Sequence, residues 1–183
     1  ANVIIHYRMM KELDFYKQWC CVMLNYLCKR NIETRESVLN NADARLKLIQ
    51  RFDDLKNKML IDFKKGSITK MKRWFSACNE NPPYPHEPDY QILNAQLLAA
   101  CGKGLDDLFK KRWERIAKIK ERGKLRSDSE FYLINEHMDY LINMGAPDEE
   151  TELFDSMLFD YEERARKRRE KREKREKQKK DKS

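Results

Sequence analysis

The sequence predicts an all-α fold: an irregular multi-helix bundle whose C-terminal helix extends into a basic, solvent-exposed rod. Three observations predict it. Glycine and proline number only 5 each in 183 residues, too few for a β fold that needs a turn every 8–12 residues or so. Apolar residues return at spacings of three and four over long stretches, the period of a helix with one buried face. After Tyr161 the apolar pattern stops, yet no glycine or proline breaks the chain, and Arg-Glu-Lys repeats three times over residues 169–177.

The elements follow in order. Residues 2–7 suit a short strand or an extended arm. A helix from Met9 carries Leu13, Tyr16, Trp19 or Cys20, Met23 and Leu27 on one face and ends at Asn31. Thr34 precedes a long second helix with Leu39, Ala42, Leu46, Ile49, Phe52, Leu55, Met59 and Phe63 inward, closing at Gly66. Ser67 can cap a shorter helix through Ile68, Met71, Trp74 and Phe75. Residues 81–88, Asn-Pro-Pro-Tyr-Pro-His-Glu-Pro, must be extended or turned, because proline fixes φ and removes donors. Asp89 can cap the next helix, with Ile92, Leu93, Leu97 and Leu98 inward and Gly102 and Gly104 ending it. Leu105 to Arg122 read as a helix with Leu108, Phe109, Trp113 and Ile116 inside and a basic outer face of Lys110, Lys111, Arg112, Arg115, Lys118, Lys120 and Arg122. Ser127 and Glu130 form a Ser-x-x-Glu capping box that opens a helix to Gly145. Pro147 turns the chain, and Asp148, Glu149 and Glu150 suit the positive end of a last helix. That helix buries Leu153, Phe154, Met157, Leu158 and Tyr161. Glu170–Lys174, Glu173–Lys177 and Glu176–Lys180 are spaced to reinforce its extension. Residues 1–163 are thus read as a helical domain, with a linker-like proline segment at 81–88 and an acidic helical hairpin at 127–163. Residues 164–183 are read as a basic tail.

Charge is segregated along this layout. The net formal charge is +8, but residues 1–126 carry +11, residues 127–163 carry −12 with no lysine or arginine, and residues 164–183 carry +9. A pI near 9.2 therefore describes no single part of the molecule, and each field suits a different partner. The five cysteines form no Cys-x-x-Cys pair and read as reduced thiols of an intracellular, reducing compartment, either cytoplasm or an organelle matrix. No run of 18 apolar residues exists, so no membrane span is expected.

Catalytic and metal chemistry lack a defensible constellation. No His-Glu-x-x-His or paired cysteine motif occurs, His137 stands alone, and Gly102-Lys103-Gly104 is too short to cradle phosphate. No catalytic residue, cofactor or metal site is assigned. The proline segment holds overlapping Pro-x-x-Pro spacings at Pro82, Pro85 and Pro88, which suit aromatic grooves, but it reads first as a spacer.

Two binding surfaces remain. The tail residues Arg164, Arg166, Lys167, Arg168, Arg169, Lys171, Arg172, Lys174 and Arg175 can displace counterions from a phosphate backbone. With no aromatic to stack on bases, the tail would sense charge and not sequence. This gives the first functional reading: non-catalytic binding of nucleic acid, RNA ahead of DNA, within a larger assembly. The alternative surface is the acidic hairpin, with Glu130, Glu136, Asp139, Asp148, Glu149, Glu150, Glu152 and Asp155 facing a basic protein. The hairpin could equally pair with the chain's own basic body, and the tail could dock on an acidic protein, including the hairpin of a neighbouring copy. The segment from Ser127, Glu130 and Phe131 through Asp139 and Leu141 to Tyr161-Glu162 resembles the helical hairpin that precedes the DNA-binding part of host-inhibition-of-growth antitoxins. The resemblance covers about 37 residues and implies a protein-binding, neutralising or adaptor module. That family's helix-turn-helix is replaced here by the charged repeat.

Overall fold

The computed structural model describes the backbone of residues 2–180 and the side chains of residues 6–178. Among the described residues there are eight helices and no strand: α1 (Asn2–Thr34), α2 (Glu36–Leu39), α3 (Ala42–Lys64), α4 (Ile68–Cys78), α5 (Tyr90–Cys101), α6 (Leu105–Arg122), α7 (Asp128–Asn143) and α8 (Asp148–Lys180). The chain forms two compact units, residues 1–108 and 109–183.

In the first unit α1 packs against α3, α4 and α5. Its core holds Leu13, Trp19, Cys20 and Met23 of α1 with Met59, Met71, Cys78 and Leu97. Phe15, Tyr16, Trp19 and Phe75 pack as a ring cluster with centroids 5.2–5.9 Å apart. The Trp19 indole donates to Asn79 Oδ1 at 3.0 Å, so the one polar atom of a buried ring is satisfied.

Several sequence expectations are corrected here. Residues 2–7 are neither strand nor arm but the start of α1. No glycine or proline separates them from Leu13, so a helix nucleated farther on propagates back through them. Asn31 does not end α1. Its side-chain amide donates to Leu27 O and the Thr34 hydroxyl donates to Arg30 O, and the helix runs on to Thr34. The long second helix is broken: α2 is four residues, and Asn41 adopts extended φ/ψ and accepts from the Ala44 amide to start α3. Asparagine satisfies an exposed helix start better than it fits a helix interior. Along α3 the buried register runs through Leu48 and Met59, whereas Leu46 is 65% exposed. Along α5 it runs through Tyr90, Leu93, Asn94 and Leu97, with Ile92 and Leu98 outside. Ser67 and Asp89 occupy N-cap positions without a side-chain capping bond. The proline segment lies inside the first unit, with Pro82 and Pro83 buried and Glu87 accepting from the Tyr84 amide and from Arg30.

In the second unit α7 and α8 pack as a hairpin. Their core gathers Ile116, Ile119, Leu125, Leu133, Ile134, Leu141, Phe154, Met157, Leu158 and Tyr161. Leu153, expected inside, is 38% exposed. From Arg166 to Gln178 every side chain of α8 is exposed.

Candidate polyanion-binding helix and its acidic counterpart

The second unit shows where its twelve hairpin carboxylates go. The apolar stripe of α6 (Ile116, Ile119) is flanked by Arg112, Lys120 and Arg122, and each reaches a hairpin carboxylate. Arg112 Nη1 lies 3.0 Å from Glu136 Oε2, Lys120 Nζ 2.9 Å from Glu150 Oε1, and Arg122 Nη2 2.5 Å from Glu130 Oε2. Asp128 accepts from the Tyr161 hydroxyl at 2.6 Å, which pushes that phenol's pKa up. The capping box is half formed. Ser127 Oγ accepts from the Glu130 amide at 3.3 Å, but the Glu130 carboxylate takes Arg122 and the Arg126 amide instead of returning to Ser127. Burial opposes ionisation of Glu130, yet the Arg122 guanidinium and the Arg126 amide more than offset it and hold its pKa below the ordinary value.

Three of the eight hairpin residues singled out in the sequence, Glu130, Glu136 and Glu150, are thus bound within the unit. The other five, Asp139, Asp148, Glu149, Glu152 and Asp155, are exposed, and none is in an ion pair among the described residues.

The tail residues divide in the same way. Arg164 is half-buried and tied down: Nη2 donates to Leu125 O at 3.0 Å, Nε donates to Asp160 Oδ2 at 2.8 Å, and the guanidinium lies 5.4 Å from the centre of the Tyr161 ring. Arg168 lies 5.9 Å from the same ring and donates to Arg164 O at 3.2 Å. Arg166 pairs with Glu163 at 2.8 Å. Beyond this first turn and a half the expected Glu-before-Lys ladder is not made. Glu170–Lys174 and Glu173–Lys177 are not ion pairs, and Glu176–Lys180 lies outside the described side chains. Instead Arg172 reaches Glu176 at 3.9 Å, with both side chains mostly in solvent. Lys167, Arg169, Lys171, Lys174 and Arg175 are exposed and enter no ion pair among the described residues.

Comparison with protein-family models, curated proteins and solved structures finds no match.

The antitoxin-like reading of residues 127–163 therefore rests on the residues quoted for it alone. Among the described residues no group of three or more His, Cys, Asp or Glu could hold a metal ion, and no helix is long and apolar enough to cross a membrane. The five cysteines are free thiols.

Sequence reasoning missed two features. One is which residues make the pairing of the hairpin with the basic body, left open in the sequence: Arg112, Lys120 and Arg122 of α6. The other is His137, which is buried in a ring cluster with Trp113, Tyr140 and Phe154 at centroid distances of 5.2–6.0 Å. Its Nδ1 has no hydrogen-bond partner.

Proposed function

We propose that this protein is a non-catalytic binder of nucleic-acid backbone, RNA ahead of DNA, working in a larger assembly through the outer part of α8 as a free-standing basic rod. The observation that carries the proposal is the division of labour among the charges. The hairpin carboxylates Glu130, Glu136 and Glu150 are paired with α6. Among the described residues the tail cations Arg169, Lys171, Lys174 and Arg175 are exposed and enter no ion pair, and Arg172 reaches only Glu176 of its own helix. A phosphate chain would meet guanidinium and ammonium groups on several sides of a helix, displacing condensed counterions without reading bases. The acting residues are Arg169, Lys171, Arg172, Lys174 and Arg175, with Arg166, Lys167 and Arg168 at the inner edge. Arg164 belongs to the base that orients them.

The test compares the full chain with a full-length variant in which these five outer residues are changed to glutamine, which keeps helix propensity. Affinity for a mixed-sequence RNA is measured across a salt series. If about half of the exposed cations face one strand, log affinity falls against log salt with a slope of roughly −3, and neutralising these five reduces that slope by about half. Equal affinity and equal slope for the two proteins would refute the tail assignment.

A further inference from the structure

Phe159 stands on the outer face of α8 and is 65% exposed. Asp155 lies one turn before it, Glu162 and Glu163 one turn after, and Asp160 beside it. On α7, Tyr132 is likewise 65% exposed, one helical face with Asp139. Asp160 and Glu163 are paired with Arg164 and Arg166, but Asp139, Asp155 and Glu162 are exposed and enter no ion pair among the described residues. Large exposed rings beside such carboxylates are the composition of a docking surface with an apolar centre and a charged rim. We propose that this acidic, aromatic outer face of the α7–α8 hairpin receives the basic tail of a second copy of the same chain.

Two observations select that occupant. The first is charge complementarity. Asp139, Asp148, Glu149, Glu152 and Asp155 of the hairpin are exposed and enter no ion pair among the described residues. The tail carries +9 and is rich in arginine, whose planar guanidinium stacks on exposed rings while pairing with carboxylates. The second is connectivity. α8 is one unbroken helix from Asp148 to Lys180, so the tail leads away from its own hairpin. Asp155 and Lys171 are sixteen residues apart on that helix, about 24 Å at 1.5 Å per residue. While the helix is intact the tail cannot fold back on the carboxylates of its own molecule, but it can reach those of another. The contact is head-to-tail, so it closes if two copies exchange tails and extends if they do not. This inference does not rest on the tail's binding nucleic acid; the two ligands would compete for the same cations.

The experiment is sedimentation velocity on nuclease-treated full-length protein at about 50 mM and about 500 mM salt. The expected result is a species of at least twice the monomer mass at low salt that returns to monomer at high salt. Two full-length variants resolve the surfaces. One neutralises the tail with the five glutamines above. The other reverses the hairpin with Asp139→Lys, Glu152→Lys and Asp155→Lys together with Phe159→Ala, all at exposed positions, with helix content checked by circular dichroism. Each variant alone is expected to be monomeric, and an equimolar mixture is expected to re-form a mixed species, because one supplies the tail and the other the hairpin. A monomeric wild-type protein at low salt would overturn the proposal. So would association that survives both variants, or a mixture that fails to associate.

Discussion

The carboxylate of Glu130 grips the guanidinium of Arg122 and also accepts from the Arg126 amide at 2.7 Å, so one side chain joins the last turn of α6 to the start of α7. Changing Glu130 to Gln removes the charge from both bonds and leaves a half-buried guanidinium short of its partner. The expected loss is about 1–3 kcal/mol in denaturant unfolding. The pH dependence carries the same signature. The folded pKa of Glu130 lies below its ordinary 4.5, so its contribution is complete above that value and disappears as pH falls through the folded pKa. The E130Q variant should lose stability less steeply than wild type in acid, measured as urea midpoints between about pH 5 and pH 3.

The hairpin that Glu130 opens was legible because its punctuation is chemical. Ser127 caps α7, Gly145 adopts a positive φ after it, and Pro147 precedes α8. The continuation of α8 past Tyr161 was legible too, since no glycine or proline follows to break the helix, which runs to Lys180. What stayed hidden depended on contacts distant in sequence. Arg112, Lys120 and Arg122 look like an ordinary solvated helix face until the hairpin lies beside them. Leu46 fits the apolar spacing that runs on to Met59 and Phe63, yet it is Leu48 that is buried and Leu46 that faces solvent. The break at Asn40 and Asn41 was readable in principle, because paired asparagines favour caps, but an unbroken apolar pattern across it argued for one helix.

Gly104 should not accept a side chain. A Cβ there would lie 2.1 Å from Asn94 Oδ1 and 3.1 Å from Leu98 Cγ. Asn94 cannot swing away cheaply, because its amide donates to Asp106 Oδ2 at 2.9 Å while its Oδ1 accepts from the Asp106 amide at 3.2 Å. Tyr90 donates to the same carboxylate at 2.6 Å. Gly104→Ala is expected to destabilise the first unit by about 1–3 kcal/mol. Adding Asn94→Ala should cost less in the Gly104→Ala background than in wild type, since the clash is then already relieved. Additive losses in that double-mutant cycle would show that the clash is relieved elsewhere.

His137 should make the second unit sensitive to mild acid. Burial lowers its pKa below the ordinary 6.5; Glu150 opposes this and Lys120 adds to it. The folded protein therefore holds the imidazole neutral where the unfolded chain would already bind a proton. Stability is complete above pH 6.5 or so, declines as pH falls from there toward the folded pKa, and levels off below it. Replacing His137 with Phe should flatten this part of the profile, read as melting temperature between about pH 7.5 and pH 5. An unchanged slope in the variant would assign the acid sensitivity to other groups.

Arg164 and Arg172 carry the same charge on the same helix and should behave differently. Arg164 supplies the donor for the carbonyl of Leu125, a residue with no exposed surface, and it stacks on Tyr161, which itself donates to Asp128. Arg164→Ala removes the first two of these contacts at once and loosens the Tyr161 ring, so a loss of about 1–2 kcal/mol is expected. Among the described residues Arg172 pairs only with Glu176, at 3.9 Å with both side chains largely in solvent, and Arg172→Ala should leave the melting temperature unchanged. The order reverses for polyanion binding. Arg172→Ala should weaken RNA affinity and shallow the salt slope by a little under one, whereas Arg164→Ala, measured where the protein is fully folded, should leave the slope nearly intact. The same ranking in both assays would mean that the tail binds through its base and not through its outer turns.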